Sequence, residues 1–381
     1  MDLESLEKVL ENEPKYRVKQ AKEAIFKKCI LNWNEATFFA KELREKLNKE
    51  CPLKIEAETL VSRQKTSYTQ DSAIAEIRVS ESNSVKARII LKDGLQIETV
   101  LMRHKDGRNT VCVSSQVGCP LGCLFCATGK MGFKRNLTSE EILEQVIFFK
   151  RYLSGLSPAF SRSKPGLDRV TNVTFMGMGE PFLNYDNVLK SIRILNDKDY
   201  FNIGARSISV STAGIIEKIE KFSQEKLEGR TFQLNLAISL HAPNNKLRTE
   251  LMPISKKYPL ELVLKAVDGY IKITKRKVML EYVLIKDVND SDECAKELAK
   301  LMRNPSTPLR ARKLYFVNLI LYNAPAFAKA SAGEAGVFKA SETKRVENFK
   351  KILKKAGINF VQRYRFGDDI QAACGQFATS K

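Results

Sequence analysis

The sequence predicts an α/β protein in which helices connect the strands of a parallel sheet, with a small helical domain and a short antiparallel ribbon in front of it. Three observations predict this. From Thr110 onward, short β-branched runs are each followed by a longer helical pattern. The residues best suited to chemistry stand just after those runs. Residues 1–70 carry helical periodicity instead.

In chain order, helical patterns cover Arg17 to Phe26 and Asn34 to Leu47, and a polar stretch from Ser62 to Ser72 closes this accessory domain. The ribbon spans 71–104. Its strands are expected at Ala75 to Val79, at Ala87 to Leu91 and, after the Asp93-Gly94 turn, at Gln96 to Met102. The core spans 105–367, with strand-like runs at Val111 to Ser115, Val173 to Met176, Ser207 to Ser211, Leu234 to Leu240, Val278 to Leu284 and Leu314 to Ile320. Between them lie helical stretches such as Ser139 to Phe149, Asn187 to Leu195, Ile215 to Phe222, Leu260 to Thr274 and Asp292 to Met302. Repeated units of this kind require right-handed crossovers in one sheet, curled or doubly wound. Residues 368–381 form a tail that carries Cys374. The polar Ser154 to Asp168 segment and the Ala- and Gly-rich Ala324 to Glu342 segment read as insertions.

Sites on parallel strands form where loops leave the C-terminal strand ends. Cys119, the Gly177 to Pro181 segment, Ser211 to Gly214, His241, Asn289 and Asn323 can therefore share one pocket.

Lysine and arginine total 64 against 44 acidic residues, a formal charge of +20 spread along the whole chain. Such a surplus attracts a polyanion such as RNA, and it equally describes a lysine-rich soluble surface. No stretch is apolar enough for a bilayer span, and Met1 to Pro14 is acidic without an apolar centre. A cytoplasmic protein with no membrane partner is expected.

Three of the eight cysteines, Cys119, Cys123 and Cys126, form a C-x3-C-x2-C pattern in VGCPLGCLFCATGK. In a reducing compartment this spacing argues for metal or redox chemistry rather than disulfides. Three thiolates on one loop can hold three irons of a 4Fe-4S cluster and leave the fourth iron open. An open iron can be chelated by the amino and carboxylate groups of S-adenosylmethionine (SAM), whose sulfonium a reduced cluster splits to a 5′-deoxyadenosyl radical. The alternative is a closed zinc site with Cys112 as fourth ligand, in a non-catalytic RNA-binding protein. Colour separates the two, since a 4Fe-4S protein is brown and a zinc protein colourless.

The cysteine string resembles the radical SAM superfamily, and Gly177-Met178-Gly179-Glu180-Pro181 looks like that superfamily's loop for the SAM amino group. With VCVSSQVGCPLGCLFCATG, FMGMGEPFLNYDNVL, SVSTAG, AISLHAPNN and GDDIQAACGQ, the chain is similar to the RlmN family of adenine methyltransferases, most closely from Glu98 to Asn245 and at the C-terminus. The resemblance implies a partial (β/α)6 radical SAM barrel behind an N-terminal helical domain that grips RNA. By matching position, Cys119, Cys123 and Cys126 would bind the cluster, and Gly179, Glu180, Ser211, Ser239, Leu240, His241 and Asn323 would contact SAM. Cys374 matches the cysteine that is itself methylated, Cys112 its resolving partner and Glu98 a proton acceptor. The chain departs from the family after the sixth run, where Leu321-Tyr322-Asn323-Ala324-Pro325 replaces a segment that usually continues with Trp and Asn-Pro.

Carbon 2 of adenine is electrophilic and its hydrogen is not acidic, so a methyl cation cannot simply be delivered to it. In the implied route one SAM methylates Cys374 and a second supplies the radical that activates that methyl, two per turnover. The methylene radical adds to the base; after loss of an electron and the ring proton, Cys112 frees the product by forming a disulfide with Cys374, which is then reduced. The implied substrates are 23S rRNA at the peptidyl transferase centre, a tRNA anticodon loop, or both, with an electron donor such as flavodoxin or ferredoxin and a monomeric enzyme. A stacked adenine must be flipped outward first, and Lys130, Lys134 and Arg135 can line the rim that receives it. Cfr-type methylation of carbon 8 is the near alternative, although Val117 and Pro181 look more like the RlmN pattern. Taken singly, each residue also has a purely structural alternative. Cys112 can be a buried small hydrophobe, Cys374 an incidental thiol, Glu98 a strand-end carboxylate and His241 a satisfied loop histidine.

Overall fold

The computed structural model of the chain describes residues 3–62, 84–155, 169–227, 230–231, 233–303, 314–323, 338–363, 370, 372 and 374–377. The expected strand at Ala75 to Val79, and most of both expected insertions, lie outside these residues.

The N-terminal domain comprises α1 (Leu3–Val9), α2 (Lys15–Glu23) and α3 (Lys41–Glu50). A π-helical turn, Ala24–Lys28, extends α2. The expected helix over Asn34 to Leu47 is not continuous. Asn32 accepts from the Asn34 N–H, and Glu35 accepts from the Asn32 N–H, which closes a 3-10 turn at Trp33–Glu35. This capping box satisfies the first free amides locally, so α3 starts afresh at Lys41. Trp33 is fully buried and donates its indole N–H to the Cys51 carbonyl at 2.8 Å.

The strands are β1 (Glu56–Val61), β2 (Ser84–Ile90), β3 (Gln96–Arg103), β4 (Asn109–Val113), β5 (Gln116–Gly118), β6 (Phe133–Asn136), β7 (Asn172–Phe175), β8 (Ile208–Thr212), β9 (Lys226–Leu227), β10 (Arg230–Thr231), β11 (Asn235–Ser239), β12 (Val278–Leu284), β13 (Tyr315–Leu321) and β14 (Phe360–Gln362). Ten of them form one sheet in the order β1-β2-β3-β4-β7-β8-β11-β12-β13-β14. β1 to β4 pair antiparallel, and every pairing from β4 to β14 is parallel. The six expected runs are β4, β7, β8, β11, β12 and β13, so the predicted parallel core is observed. The ribbon is not a separate element but the antiparallel extension of the same sheet. β1 was expected to fall in a helical region; it is a mostly exposed edge strand whose residues EAETLV show no apolar alternation. β14 follows a helix that sequence periodicity left unassigned and adds a seventh parallel strand.

Helices close the crossovers: α4 (Ala127–Lys130), α5 (Ser139–Gly155), α6 (Tyr185–Asn196), α7 (Ile216–Gln224), α8 (Asn245–Leu251), α9 (Leu260–Thr274), α10 (Asp292–Met302) and α11 (Thr343–Lys355). No helix among the described residues is long and apolar enough to cross a membrane. One face of the sheet packs Val111, Val173, Val210, Ile238, Leu280 and Leu319 into the core beneath these helices. The other face carries Cys112, Thr174 and Ser209 in one register and Ser239, Glu281 and Asn318 in another. Cys112 on β4 and Ile320 on β13 line the same cavity although four parallel strands lie between β4 and β13 in the sheet, so the sheet curls into an incomplete barrel.

Two cations on α5 fasten the N-terminal domain to this barrel. Lys150 Nζ donates to the Phe26 and Lys27 carbonyls at 2.8 Å each, and Arg151 donates to the carbonyls of Cys29, Ile30 and Leu53. These carbonyls stand at the end of the π turn and in the chain beyond it, where cations are favoured. Replacing Arg151 by Ala leaves them short of donors. We expect a loss of about 2 kcal/mol of stability, read by denaturant unfolding, with earlier proteolysis of residues 3–62 than of the barrel.

Candidate active site

The three-cysteine loop runs between β5 and β6, and its entry is sterically fixed. Gly118 has φ +75°, and a Cβ there would lie 1.8 Å from the Gly132 carbonyl oxygen, so only glycine lets the two strands close. The Cys119 N–H donates to that carbonyl at 2.9 Å, and the Cys126 N–H donates to the Cys123 carbonyl at 3.1 Å. The Leu124 N–H donates to the Leu251 carbonyl at 3.0 Å, tying the loop to α8. The C-terminal segment is tied to it as well. The Ala127 N–H donates to the Gly375 carbonyl at 2.9 Å and the Thr128 hydroxyl to the Phe377 carbonyl at 2.7 Å.

The loop after β7 packs directly beneath. The Ser115 N–H donates to the Met178 carbonyl at 2.8 Å, and the Glu180 N–H donates to Gln116 Oε1 at 2.9 Å. Gly179 has φ +101°, and a Cβ would come within 2.8 Å of the Gln116 amide nitrogen, so the second glycine is required by close approach. Glu180 is buried; its Oε1 accepts from the Phe182 N–H at 3.0 Å and its Oε2 from the Ala213 N–H at 2.7 Å. Burial raises its pKa against the pull of those amides. The carboxylate thus joins the β7 loop to the β8 loop.

His241 follows β11 with φ +55°. Its Nδ1 accepts from the Val283 N–H at 3.1 Å, so the neutral ring carries its proton on Nε2. Burial, helped by the Arg248 charge, pushes its pKa down to about 3. Phe125 of the cysteine loop meets the ring edge-on at 4.8 Å between centroids. Asn289 fixes the same turn, donating to the His241 and Val283 carbonyls at 2.8 and 2.6 Å and accepting from the Ile285 N–H at 2.7 Å. It staples the loop and lines neither cavity described next.

Two adjoining cavities open at these strand ends. Cys112, Cys126, Thr128, Asn323 and Cys374 are among the residues lining the first. Cys126, Gly179, Glu180, Ser211, Ser239 and His241 are among those lining the second. Cys126, Met176, Gly177, Arg363, Cys374 and Gly375 border both, so Cys374 stands on the wall between them. Five of the expected SAM residues therefore meet in one cavity. Two do not. Leu240 is fully buried with its N–H on the Glu281 carbonyl at 3.0 Å, and Asn323 faces the first cavity, donating from Nδ2 to the Cys374 carbonyl at 3.5 Å. Glu98 lines neither cavity. It lies on β3 on the face shared with Cys112 and forms a buried ion pair with Lys86 at 2.6 Å.

All eight cysteines are free thiols. Burial pushes the Cys119 thiol up to about 12 and the Cys123 thiol well above its usual value, so these groups ionise only against a cation. Burial, with Cys374 adding to it, pushes Cys112 up to about 12, while Arg363 pulls the other way. Cys112 lies on β4, outside the three-cysteine loop, and lines the first cavity with Cys126 and Cys374. Among the described residues, no three His, Cys, Asp or Glu side chains converge to hold a single metal ion. A 4Fe-4S cube needs no such convergence, because each thiolate takes a different iron.

Sequence reasoning missed three residues around this site. Arg248, on α8, is fully buried, and nothing in its helical context marks it. Glu281 is the lone acid inside the apolar strand VMLEYVL, a signal that was available. Arg363 closes β14, which was itself unassigned. Of the basic residues expected at the rim, Arg135 is already engaged, with Asp93 at 2.6 Å and with both Glu141 oxygens at 2.7 and 2.8 Å. None of Lys130, Lys134 and Arg135 lines either cavity.

Comparison with known proteins points the same way as this geometry. The sequence pattern of the Radical SAM superfamily matches residues 164–299. The chain is 42% identical to the probable dual-specificity RNA methyltransferase RlmN of Dictyoglomus thermophilum, over 98% of this chain and 94% of the relative. It is 40% identical to the protein of that name from Streptococcus gordonii, over 97% and 90%. A solved radical SAM methyltransferase from Sphaerobacter thermophilus superimposes with a TM-score of 0.81 at 36% identity, covering 99% of this chain and 97% of that one.

The histidine environment has a direct test. The His241 pKa of about 3 lies below its ordinary 6.5, so above about pH 6.5 folded and unfolded chains are both neutral there. As pH falls below that, the unfolded chain takes the proton first, and His241 withdraws stability down to its folded pKa. We expect the His241 ring nitrogens, assigned with His241→Asn, to show no titration between about pH 8 and 5 by NMR and to keep the Nε2–H tautomer. A midpoint near the ordinary value would refute this geometry.

Proposed function

The chain belongs to the RlmN family of radical SAM enzymes, and on that premise we propose that it methylates carbon 2 of adenine in RNA, acting on 23S rRNA and on a tRNA anticodon loop. The observation that carries the mechanism is the position of Cys374 on the wall between two cavities, with Cys112 lining one and the Gly179, Glu180, Ser211, Ser239 and His241 set lining the other.

The residues fit the cofactors this reading requires. Cys119, Cys123 and Cys126 offer three thiols on one loop, and Cys126 borders the cavity with the SAM-type residues. When bound, a 4Fe-4S cluster carrying SAM supplies a methyl group and a carbon radical that abstracts hydrogen. Gly179 and Glu180 shape the wall of that cavity, Ser211 and Ser239 offer hydroxyls, and the neutral His241 offers an Nε2–H donor. Two SAM molecules per turnover, a flavodoxin- or ferredoxin-type electron donor and a monomer acting in the cytoplasm belong to the same proposal.

The protein's own groups then divide the work. Cys374 accepts the methyl group from the second cavity and presents the activated carbon to an adenine in the first. The resemblance assigns the ring proton to Glu98, which is ion-paired to Lys86 on the face of β3 shared with Cys112 and lines neither cavity, so the proton would have to reach it through an intervening group. Once the adduct has lost one electron and the ring proton, Cys112 attacks the Cys374 sulfur; an S–S bond forms as the C–S bond to the base breaks, the electron pair passes to the product carbon, which takes up a proton to become the methyl group, and an external thiol then reduces the disulfide. Because burial pushes Cys112 up to about 12, its thiolate fraction rises about tenfold per pH unit below that value, and release should quicken with pH.

Three outcomes follow. Anaerobically reconstituted protein should carry about four irons per chain, with iron lost when Cys119, Cys123 or Cys126 becomes Ala. Stoichiometric zinc would exclude the reading. With RNA and SAM, Cys374→Ala should form no adduct, whereas Cys112→Ala should stall with RNA covalently attached on a denaturing gel. Normal turnover by Cys112→Ala would rule out the two-thiol route. Digested product RNA should contain 2-methyladenosine; 8-methyladenosine alone would move the enzyme to the Cfr-type reaction.

A further inference from the structure

The floor of the second cavity carries a polar layer to which the roles above assign only Ser239. Ser239, Glu281 and Asn318 stand side by side in register on β11, β12 and β13. Glu281 is 3% exposed. Asn318 Nδ2 donates to its Oε2 at 2.8 Å, but Oε1 is buried and has no hydrogen-bond partner among the described residues. Arg363, the nearest cation of this cavity, donates from Nη1 to Met176 Sδ at 3.5 Å rather than to the carboxylate. A buried carboxylate oxygen left unpaired is costly, and such groups in folded proteins usually await a ligand or an ion.

Glu281 lines the cavity together with Ser211, Ser239 and His241. It lies two residues deeper along β12 than Val283, whose N–H holds the His241 ring. That ring meets Phe125 of the cysteine loop, so the loop is at the mouth of the cavity and Glu281 at its floor. If a SAM-type ligand were held at the loop by its amino acid end, Glu281, which lines the same cavity, would be available to its nucleoside end.

We propose that Glu281 is the hydrogen-bond acceptor for the nucleoside half of the ligand in this cavity, taking a ribose hydroxyl or the adenine amino group on Oε1. This rests on reading the second cavity as the SAM site. Carboxylates are suited to both donors, and the adjacent Ser211 and Ser239 hydroxyls can complete a ribose contact.

The test measures equilibrium binding of S-adenosylhomocysteine to the full chain with its cluster reconstituted, without reductant. The 2′-deoxy, 3′-deoxy and inosine counterparts are compared on the wild type, Glu281→Leu and Glu281→Gln. In the wild type, one counterpart should bind about ten- to a hundredfold more weakly than S-adenosylhomocysteine, and which one identifies the donor. That penalty should vanish in Glu281→Leu and persist in part in Glu281→Gln, which keeps an acceptor oxygen. Because Oε1 has no partner among the described residues, Glu281→Gln should melt no lower than the wild type without ligand. A large fall there assigns the carboxylate a structural role and overturns the proposal. An undiminished penalty in Glu281→Leu, or none in the wild type, overturns it while leaving the SAM reading in place. Failure of the wild type to bind S-adenosylhomocysteine overturns the SAM reading and the proposal together.

Discussion

One buried guanidinium holds the rim of the barrel together. Parallel strands end with their loops converging on one face, and the carbonyls there have no strand partner left to pair with. Arg248 supplies the missing donors. Its Nε reaches the Leu240 carbonyl at 3.2 Å, Nη1 reaches the Ser255 hydroxyl and the Tyr258 carbonyl at 3.0 and 3.2 Å, and Nη2 reaches the Ala213 and Ser239 carbonyls at 2.7 and 3.0 Å. The loops after β8 and β11 and the chain before α9 are thereby fixed to one planar fork. Burial pulls the Arg248 pKa down to about 10, offset by Cys123, so the group stays charged at neutral pH beside the cysteine loop.

The position of the cysteine loop depends on that clasp. Leu124 hangs from the Leu251 carbonyl at the end of the helix that carries Arg248, and Cys123 and Phe125 pack on the apolar cluster of Leu251, Met252 and Tyr322. The C-terminal segment in turn hangs from the cysteine loop through Ala127 and Thr128. A chain of dependence therefore runs from Arg248 to α8, to the cysteine loop and to Cys374. Displacing any member moves the thiol that must serve two cavities.

The charge pattern around the thiols is equally constrained. Cys374, ahead of Glu281 and Cys112 and against the effect of burial, raises the Arg363 pKa, so the guanidinium stays charged. The same guanidinium is the cation that favours a thiolate at Cys112. One fixed positive charge thus stands beside Cys112 while lining both cavities with Cys374. Lys86 pairs with Glu98 and also lies over the Phe377 ring at 5.9 Å, which links the β3 carboxylate to the tail.

The sequence by itself determined the parallel core, because a β-branched run and an amphipathic helix are local patterns set by side-chain periodicity. β12 and α9 begin and end where those patterns do. It also determined the three-thiol loop, since a spacing of three and two residues is a local fact, and it placed Gly177 to Pro181, Ser211 and His241 at strand ends that do meet. Only the tertiary structure decided what depends on distant partners. The capping box that breaks the expected helix at Asn34, the edge strand β1, the closure of Cys374 onto Ala127, the diversion of Arg135 to Asp93 and Glu141, and the withdrawal of Leu240 from the cavity all arise from contacts that periodicity does not encode. Arg248 and Glu281 show why most clearly. A charged side chain reads as surface in one dimension, and only the folded chain reveals which carbonyls, or which empty floor, a buried charge is there to meet.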